Sequence, residues 1–113
     1  MDKEILKGSI YILLLSIIAQ HNTYGYEIVQ KLKQHSNQSY SMSQGTLYPA
    51  LKRMEQRALI ESYWGESDTG MKRKFYRITA AGRLELQEKL TAWDQITELI
   101  QICRKGASAA HGA

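Results

Sequence analysis

Apolar residues recur at helical spacing in four stretches of the chain, and in the first stretch they cover almost every face. Over residues 3–20, Ile10, Leu14, Ile17 and Ile18 share one face, and further leucines and isoleucines lie on the others. A helix that is apolar all round must be covered from two directions. We therefore expect one covering layer from its own domain and a second from another element, for which a partner subunit is a good candidate.

The second helix is shorter and amphipathic. It spans about 24–36, with an apolar stripe that includes Ile28 and Leu32 and with lysines and a glutamine on the side facing water. Asn22 or Thr23 is placed to accept hydrogen bonds from its first free N–H groups. This pattern predicts a surface helix with one buried side.

The third helix contains the only proline of the chain. It should begin within a few residues of Gly45 and end near Ala58, with Ser41 or Ser43 as its N-cap. Proline in a helix interior costs about 3 kcal/mol, because it lacks an N–H and clashes with an earlier carbonyl. Pro49 is therefore expected near the first turn, where the N–H groups have no partner within the helix.

The hydrophobic period changes after the third helix. Residues 60–64 and 74–78 have the composition and alternation of short strands. Gly65 and Gly70 lie in the loop between them and are available for positive φ angles. We therefore expect a β-hairpin with a long tip whose end is basic.

The last helix spans about 80–105, with Thr79 as its cap. Its apolar positions are separated by three or four residues, as in a coiled-coil seam, and are Leu86, Leu90, Trp93, Ile96 or Thr97, Ile100 and Cys103. Such a helix is about 39 Å long, which exceeds what a small three-helix core can cover. The excess stripe again requires a partner. Cys103, in line with this stripe, is expected to be a buried thiol rather than a nucleophile.

This order of elements predicts a mainly α protein with a two-stranded β-hairpin. It is the arrangement of a winged helix-turn-helix, followed by a long C-terminal dimerisation helix. We assign residues 1–79 to a winged helix-turn-helix DNA-binding domain, 80–105 to the dimerisation helix and 106–113 to a flexible tail. In helix-turn-helix proteins the second helix of the pair enters the major groove by its N-terminal residues. Lys52 and Arg53 lie about one turn further on, within reach of phosphate.

The charge distribution agrees with this interpretation. The net charge is +4, and residues 1–78 contain 11 Lys and Arg against 7 Asp and Glu, whereas residues 79–113 contain four of each sign. The basic excess therefore belongs to the part of the chain that holds the third helix and the hairpin. A moderate basic excess on its own is also compatible with an ordinary solvated surface.

Other classes of protein find little support in the sequence. With one cysteine an internal disulfide is excluded, and a reducing cytoplasmic location is expected. Asp2 and Glu4 interrupt a signal-like leader, and the apolar run after it is shorter than the roughly 20 residues of a membrane span. The three histidines are scattered, so we expect no metal site, no cofactor and no catalytic group. An enzyme is therefore not expected.

Three segments carry a resemblance to a known family. They are Thr23–Ile28 (TYGYEI) at the start of the second helix, Gly45–Leu51 (GTLYPAL) at the start of the third, and Lys72–Thr79 (KRKFYRIT) in the wing, with Gly82 beyond. In this order and spacing they resemble the PadR family of transcriptional regulators, over about residues 5–105. The single helix after the wing resembles the short subgroup of that family.

The resemblance implies a homodimer built through the last helix, which represses transcription and releases a near-palindromic DNA operator when a small molecule binds. The residues that it assigns to the DNA surface are Ser43, Gln44, Thr46, Tyr48 and Lys52 on the third helix, with Lys72, Arg73 and Lys74 on the wing. Tyr24, in the first matching segment, is a candidate either for packing or for contact with the DNA backbone. Two further alternatives stay open at this point. Tyr48 is also a candidate for the core, and the basic wing residues are also candidates for a solvated loop end.

Trp93 lies in the middle of the predicted dimer helix and suggests an effector site. In a two-fold dimer it would approach its symmetry mate, and two indoles would sandwich a flat aromatic ligand. The other candidate lining residues are Gly8, Tyr11, Ile12, Leu90, Ile96 and Thr97, and Asp94 and Glu98 would attract a cation. The simpler alternative is that Trp93 only packs in the dimer core.

The main alternative function is a winged-helix module that binds protein without specific DNA binding. Such a module is expected to show an apolar patch on the third helix and wing. The exposed candidates in this chain are glutamine, threonine, tyrosine, lysine and arginine, which favours DNA.

Overall fold

The computed structural model describes the backbone of residues 1–112 and the side chains of residues 1–106. The elements, in chain order, are α1 (Lys3–Gln20), β1 (Thr23–Tyr24), α2 (Gly25–His35), α3 (Gln44–Gln56), β2 (Ile60–Glu66), β3 (Lys72–Ile78) and α4 (Ala80–Gly112). The predicted fold class is confirmed: α2 and α3 form the helix-turn-helix, β2 and β3 form the wing, and the long helix α4 follows.

A single hydrophobic core lies between α1, α2, α3 and the base of the wing. Its buried members are Leu14, Leu15, Ile18, Ile28, Leu32, Met42, Leu47, Leu51, Met54, Leu59, Ile60 and Tyr76. From the predicted face of α1, Leu14 and Ile18 are buried, whereas Ile10 and Ile17 are only partly covered. The helix-turn-helix is therefore held by α1 from behind, which leaves the outer side of α3 exposed.

The sheet has a third strand that the sequence pattern did not predict. The two residues of β1 pair antiparallel with β3, with Thr23 opposite Tyr76 and Tyr24 opposite Phe75, so that the strand order is β1-β3-β2. Two residues are too few to show the period of a strand. This pairing fixes the start of α2 against the wing.

The wing strands are longer than predicted, and the turn between them is correspondingly shorter. Gly65 does not have a positive φ angle but lies within β2, opposite Arg73. A Cβ at Gly65 would lie 2.9 Å from the Phe75 ring, so its missing side chain makes room for that ring. Gly70 does have a positive φ, of 80°, as predicted.

The predicted caps are confirmed at two helix starts and wrong at one. Ser43 accepts a hydrogen bond from the Thr46 N–H at the start of α3, and the Thr79 hydroxyl accepts one from the Gly82 N–H at the start of α4. The N-cap of α2 is Tyr24, whose side chain makes no capping hydrogen bond within the described part of the chain. The predicted caps Asn22 and Thr23 precede it, because Thr23 belongs to β1.

Pro49 lies further into α3 than expected. Because α3 begins at Gln44, Pro49 is past the first turn, and the carbonyl of Gly45 loses the N–H that an ordinary residue would donate. Gly45 is exposed, so that water can satisfy this carbonyl. The cost of the proline is reduced by exposure rather than by its position at the helix start.

Helix α4 continues beyond the predicted end at residue 105. The flexibility expected for 106–113 remains a prediction, and the side chains of 107–113 lie outside the described residues. Most apolar side chains of α4 are exposed, and so is the free cysteine Cys103, in contrast to the buried thiol that was expected. Of the stripe on which Cys103 was expected to lie, Leu86 packs partly buried against the core, whereas Leu90, Trp93, Ile96 and Ile100 are exposed.

Candidate nucleic-acid interface

The start of α3 is fixed by its cap. The Ser43 hydroxyl accepts a hydrogen bond from the Thr46 N–H at 3.2 Å and donates one to the Thr46 hydroxyl, also at 3.2 Å. Gln44 is exposed beside them. The two hydroxyl groups therefore hold each other at the helix end, and the amide of Gln44 is available to an outside partner.

Tyr48 connects α3 to the start of α2. Its side chain is 46% exposed, so it is not a core residue, and its hydroxyl lies against Gly25. A Cβ at Gly25 would lie 2.5 Å from the Tyr48 hydroxyl oxygen, so a larger residue at this position would displace the Tyr48 ring from its present place. The two segments TYGYEI and GTLYPAL thus meet in space through this contact.

The basic residues of α3 and the wing have different surroundings. Lys52 and Arg53 are exposed on α3, and Lys72 is exposed on β3. The Lys74 ammonium lies 3.9 Å from a Glu55 carboxylate oxygen and 5.8 Å from the centre of the Tyr76 ring. Lys74 therefore makes contacts within the chain, and its role at the DNA surface stays a prediction.

Arg73 is half-buried at the edge of the wing. Its guanidinium carbon lies 5.5 Å from the centre of the Tyr24 ring and 5.9 Å from the centre of the Tyr26 ring. Both distances are within the range of a cation–π interaction. The two tyrosines flank Gly25, so that the wing and the start of α2 are joined at this point.

A groove of about 530 Å³ lies between the start of α2, the start of α3 and the wing. From the predicted DNA surface it brings together Gln44, Tyr48, Lys72, Arg73 and Lys74, whereas Ser43, Thr46, Lys52 and Arg53 lie outside its lining. The sequence interpretation missed two of its aromatic residues, Tyr26 and Trp64, which are 58% and 73% exposed. Tyr26 stands in the TYGYEI segment and Trp64 in the first predicted wing strand, but nothing in their spacing showed that they face the groove.

One tyrosine at the base of the groove is held in its neutral form. Burial raises the pKa of the Tyr76 hydroxyl, and the charges of Glu55 and Tyr48 act in the same direction. The Tyr76 hydroxyl therefore adds no negative charge to the groove at neutral pH.

A second groove, of about 410 Å³, lies between α1 and α4. Its lining is mostly apolar and consists of Met1, Asp2, Ile5, Leu6, Ser9, Ile12, Leu13, Leu90 and Trp93. Of the predicted effector cavity it contains Ile12, Leu90 and Trp93. Trp93 is 51% exposed there.

The other residues of the predicted effector cavity lie outside this groove. Gly8 and Ile96 are exposed, Thr97 is partly covered, and Tyr11 packs partly buried against the core. Asp94 and Glu98 are exposed on α4. A cavity that includes all of them requires more than one chain.

Membrane spans and metal clusters are both absent from the described residues. Within that range, none of the helices is long and apolar enough to cross a membrane. The same residues contain no group of three or more histidine, cysteine, aspartate or glutamate side chains that would hold a metal ion.

A helix-turn-helix with an exposed polar first turn on its second helix and a basic wing defines the class of DNA-binding transcriptional regulators. The chain matches the transcriptional regulator PadR-like family over residues 14–88, and it belongs to this family. The resemblance inferred from the three sequence segments is thereby confirmed.

Relatives and solved structures agree with this assignment. A transcriptional regulator of Mycobacterium tuberculosis is 33% identical over 83% of this chain and 84% of its own length. The negative transcriptional regulator PadR of Bacillus subtilis is 25% identical over 78% of this chain, but over only 48% of its own length. The crystal structure of a PadR-like transcriptional regulator from Bacillus cereus is 36% identical and superimposes with a TM-score of 0.78, covering 88% of this chain and 94% of the other.

Proposed function

We propose that this DNA-binding regulator is a sequence-specific, homodimeric repressor, and that a planar aromatic molecule bound between its subunits releases it from DNA. The observation that carries the proposal is the exposed apolar face of α4, on which Trp93 lies, in addition to the basic surface of α3 and the wing. The first surface would bind the partner subunit and the effector, and the second surface would bind DNA.

The dimer is supported by the apolar side chains that α4 leaves uncovered. They are Leu84, Leu90, Trp93, Ile96, Leu99, Ile100 and Ile102, and each is between 39% and 60% exposed. Of these, Leu90, Trp93, Ile96 and Ile100 follow one another at intervals of three or four residues and share one side of α4, and an uncovered apolar stripe of this kind marks an interface. Pairing with the same face of a second copy covers both stripes at once, because a two-fold interface is self-complementary.

DNA recognition by the dimer follows from the position of α3. Two copies related by a two-fold axis present two α3 N-termini, which contact half-sites about 34 Å apart on a near-palindromic operator. Gln44 and Tyr48 at the first turns face the bases or the backbone, and Lys52, Arg53 and Lys72 face phosphates. Each phosphate contact contributes about −0.9 to the slope of log affinity against log salt.

The effector site is supported by the groove between α1 and α4. In a dimer two such grooves adjoin, and the two Trp93 rings face a ligand of planar aromatic shape. The carboxylates of Asp94 and Glu98, both exposed on the same helix, favour a cation. A ligand bound between the subunits changes the distance between the two α3 helices. Binding to the operator depends on this distance, because it must match the spacing of the two half-sites.

Repression as the default action is supported by one relative, the Bacillus subtilis protein named as a negative transcriptional regulator. This chain spans about half the length of that relative, so the action of the whole relative is transferred to this chain only as part of the proposal. A regulator of this kind acts in the cytoplasm, where bacterial DNA is located.

Binding to the DNA upstream of its own gene, beside a scrambled duplex and across a salt series, tests the DNA part of the proposal. We expect tight, salt-sensitive binding that favours the upstream duplex. Equal or absent binding to both duplexes would contradict specific regulation and would favour the protein-binding module instead.

Tryptophan fluorescence tests the effector part, because the chain contains two tryptophans. We expect a planar aromatic cation to quench the Trp64→Phe variant, which retains Trp93, and to leave the Trp93→Phe variant unquenched. Quenching that persists in Trp93→Phe and disappears in Trp64→Phe would move the ligand to the groove beside the wing.

A further inference from the structure

We infer that the start of α2 belongs to the DNA interface, where Tyr24 and Tyr26 act as positioning residues that hold Arg73 ready to bind a phosphate of the DNA backbone. The inference rests on the proposed function in taking duplex DNA as the ligand. It adds a second helix to the DNA surface and assigns a positioning task to two tyrosines, of which the sequence motifs had suggested only Tyr24 as a candidate backbone contact.

The guanidinium of Arg73 is held by aromatic rings rather than by a carboxylate. It lies 5.5 Å and 5.9 Å from the centres of the Tyr24 and Tyr26 rings, and a long contact of 3.6 Å joins it to the sulfur of Met71. Among residues 1–106, it forms no ion pair with a carboxylate. Its positive charge is therefore not neutralised within the chain.

Arg73 also has unsatisfied hydrogen-bonding capacity. Within the described part of the molecule, its Nε is buried without a hydrogen-bond partner. A buried donor without an acceptor is costly, and a guanidinium binds carboxylate or phosphate oxygens with two parallel N–H groups. The guanidinium is therefore ordered against the chain, and part of its hydrogen-bonding capacity is not used by the described residues.

Arg77 on the same strand provides an internal comparison. Its Nε donates to a Glu61 carboxylate oxygen at 2.9 Å, and its guanidinium carbon lies 4.9 Å from the centre of the Tyr63 ring. Both arginines are thus stacked on tyrosine, but only Arg77 has a carboxylate partner. The positive charge of Arg77 is paired with Glu61, whereas the positive charge of Arg73 remains available to an anion from outside the chain.

The surroundings of Arg73 favour an anion of the size of a phosphate. The groove of about 530 Å³ beside it is also lined by Lys72 and by Tyr48, whose hydroxyl lies over Gly25 at the first residue of α2. The N-cap Tyr24 makes no side-chain capping bond within the described residues, so the first N–H groups of α2 are not covered by a side-chain acceptor. Free N–H groups at a helix start add to the attraction for an anion.

The position of the groove points to the DNA backbone as the source of that phosphate. It lies between the start of α3, which enters the major groove, and the wing. In helix-turn-helix complexes the first helix of the pair crosses the sugar–phosphate backbone, and in this chain that helix is α2. A phosphate bound at Arg73 would therefore belong to the strand that α3 and the wing straddle.

The test is duplex binding across a salt series for Arg73→Gln, with Arg77→Gln as the matched control on the same strand. For Arg73→Gln we expect at least about tenfold weaker binding to upstream and scrambled duplexes alike, and a salt slope smaller by about 0.9. For Arg77→Gln we expect an unchanged slope. A wild-type slope that Arg73→Gln leaves unaltered would overturn the inference while the proposed function stands, whereas a wild-type protein that does not bind DNA would overturn both.

The positioning role is tested at Tyr26. We expect Tyr26→Leu to weaken binding and to reduce the salt slope, Tyr26→Phe to restore both, and Tyr26→Leu combined with Arg73→Gln to add nothing to Arg73→Gln alone. Equal binding by the leucine and phenylalanine variants would overturn it. Saturable binding of inorganic phosphate that Arg73→Gln abolishes, with an unchanged DNA salt slope, would assign the site to a free anion and would also overturn the inference.

Discussion

In the winged part of the chain, residues 3–79, Leu14, Leu51 and Met54 are entirely buried, whereas on α4 Trp93 and Ile96 are each more than half exposed. Both regions are rich in apolar residues at helical spacing. The winged part covers its own stripes with other elements of the same chain, and α4 does not. The same pattern of residues therefore specifies an internal core in one region and leaves an uncovered stripe in the other, which we propose as the interface between subunits.

The charges differ between the two regions in the same way. The basic excess of the chain lies within residues 1–78, on the side of α3 and the wing, and the remainder is balanced. A DNA surface needs net positive charge and outward-facing polar groups. A dimer helix needs an apolar stripe with balanced flanks. Substitutions in the two regions are therefore expected to have different effects on stability and binding. The largest effect is expected for a side chain of the buried core, and the smallest for a single carboxylate.

Leu51→Ala is expected to lower the free energy of unfolding by about 2–5 kcal/mol, because it removes a fully buried side chain and leaves a cavity. Ile100→Ala, on the exposed stripe of α4, is the matched control. Urea titration at two protein concentrations measures both. The loss in Leu51→Ala should not depend on concentration, whereas the loss in Ile100→Ala should arise only from dissociation of the dimer. The same concentration dependence in both variants would remove the distinction between the regions.

Ile96→Glu is expected to raise the dissociation constant of the dimer by about a hundredfold, or about 2.7 kcal/mol. A carboxylate at this position has to be buried against its symmetry mate. Light scattering after gel filtration measures the mass. Gln95→Glu adds the same charge at a polar position beside it and should leave the dimer intact. Dimers of equal stability in both variants would show that α4 pairs through a different face, or not at all.

Ser43→Ala is expected to cost about 1 kcal/mol of stability, since it removes the side-chain acceptor that caps α3. DNA affinity should fall as well, because the first turn of α3 frays. Thermal unfolding and duplex binding measure the two effects. Ser41→Ala, outside the helix and ahead of its cap, is the control and should change neither. A stable Ser43→Ala protein with unchanged DNA affinity would mean that the cap has no part in recognition.

Lowering the pH is expected to reveal a small contribution of Glu27 to the stability of the folded protein. Burial alone would raise its pKa, but hydrogen bonds from Thr23 and His21 and the nearby charge of Lys31 outweigh it, and the pKa is lowered below 4.5. A lowered carboxyl pKa gives stability that is present above about pH 4.5 and is lost as the pH falls through the folded value. In Glu27→Gln, the urea midpoint should therefore decrease less between pH 7 and pH 3.5 than in the wild type. An equal decrease in both proteins would assign the acid sensitivity to other groups.

Much of this fold was predictable from residue periodicity, because its helices and wing strands have long or strongly patterned segments. The strand Thr23–Tyr24 was not, since two residues show no period, and its existence depends on pairing with β3. Gly65 was assigned to a turn because glycine is common there. Its actual reason is the Phe75 ring, which belongs to the opposite strand. Contacts of this kind depend on the tertiary structure and leave no local signal.

The candidate site shows the same limit. Family motifs placed Tyr48 and the basic wing residues on one surface, and the fold brings them to one groove. The motifs did not indicate that Arg73 lies over Tyr24 and Tyr26, or that Lys74 is shared with Glu55. The composition of the wing gives its charge, but only the packing distinguishes the arginine that has a carboxylate partner from the one that does not.

Selection of bound sequences from a random duplex library by the purified protein depends on both regions at once. We expect enrichment of a near-palindrome whose half-sites are about one helical turn, or 34 Å, apart. That spacing requires two recognition helices fixed by one dimer interface. Enrichment of a single unpaired half-site would contradict pairing through α4, and a library without enrichment would contradict sequence-specific recognition by α3.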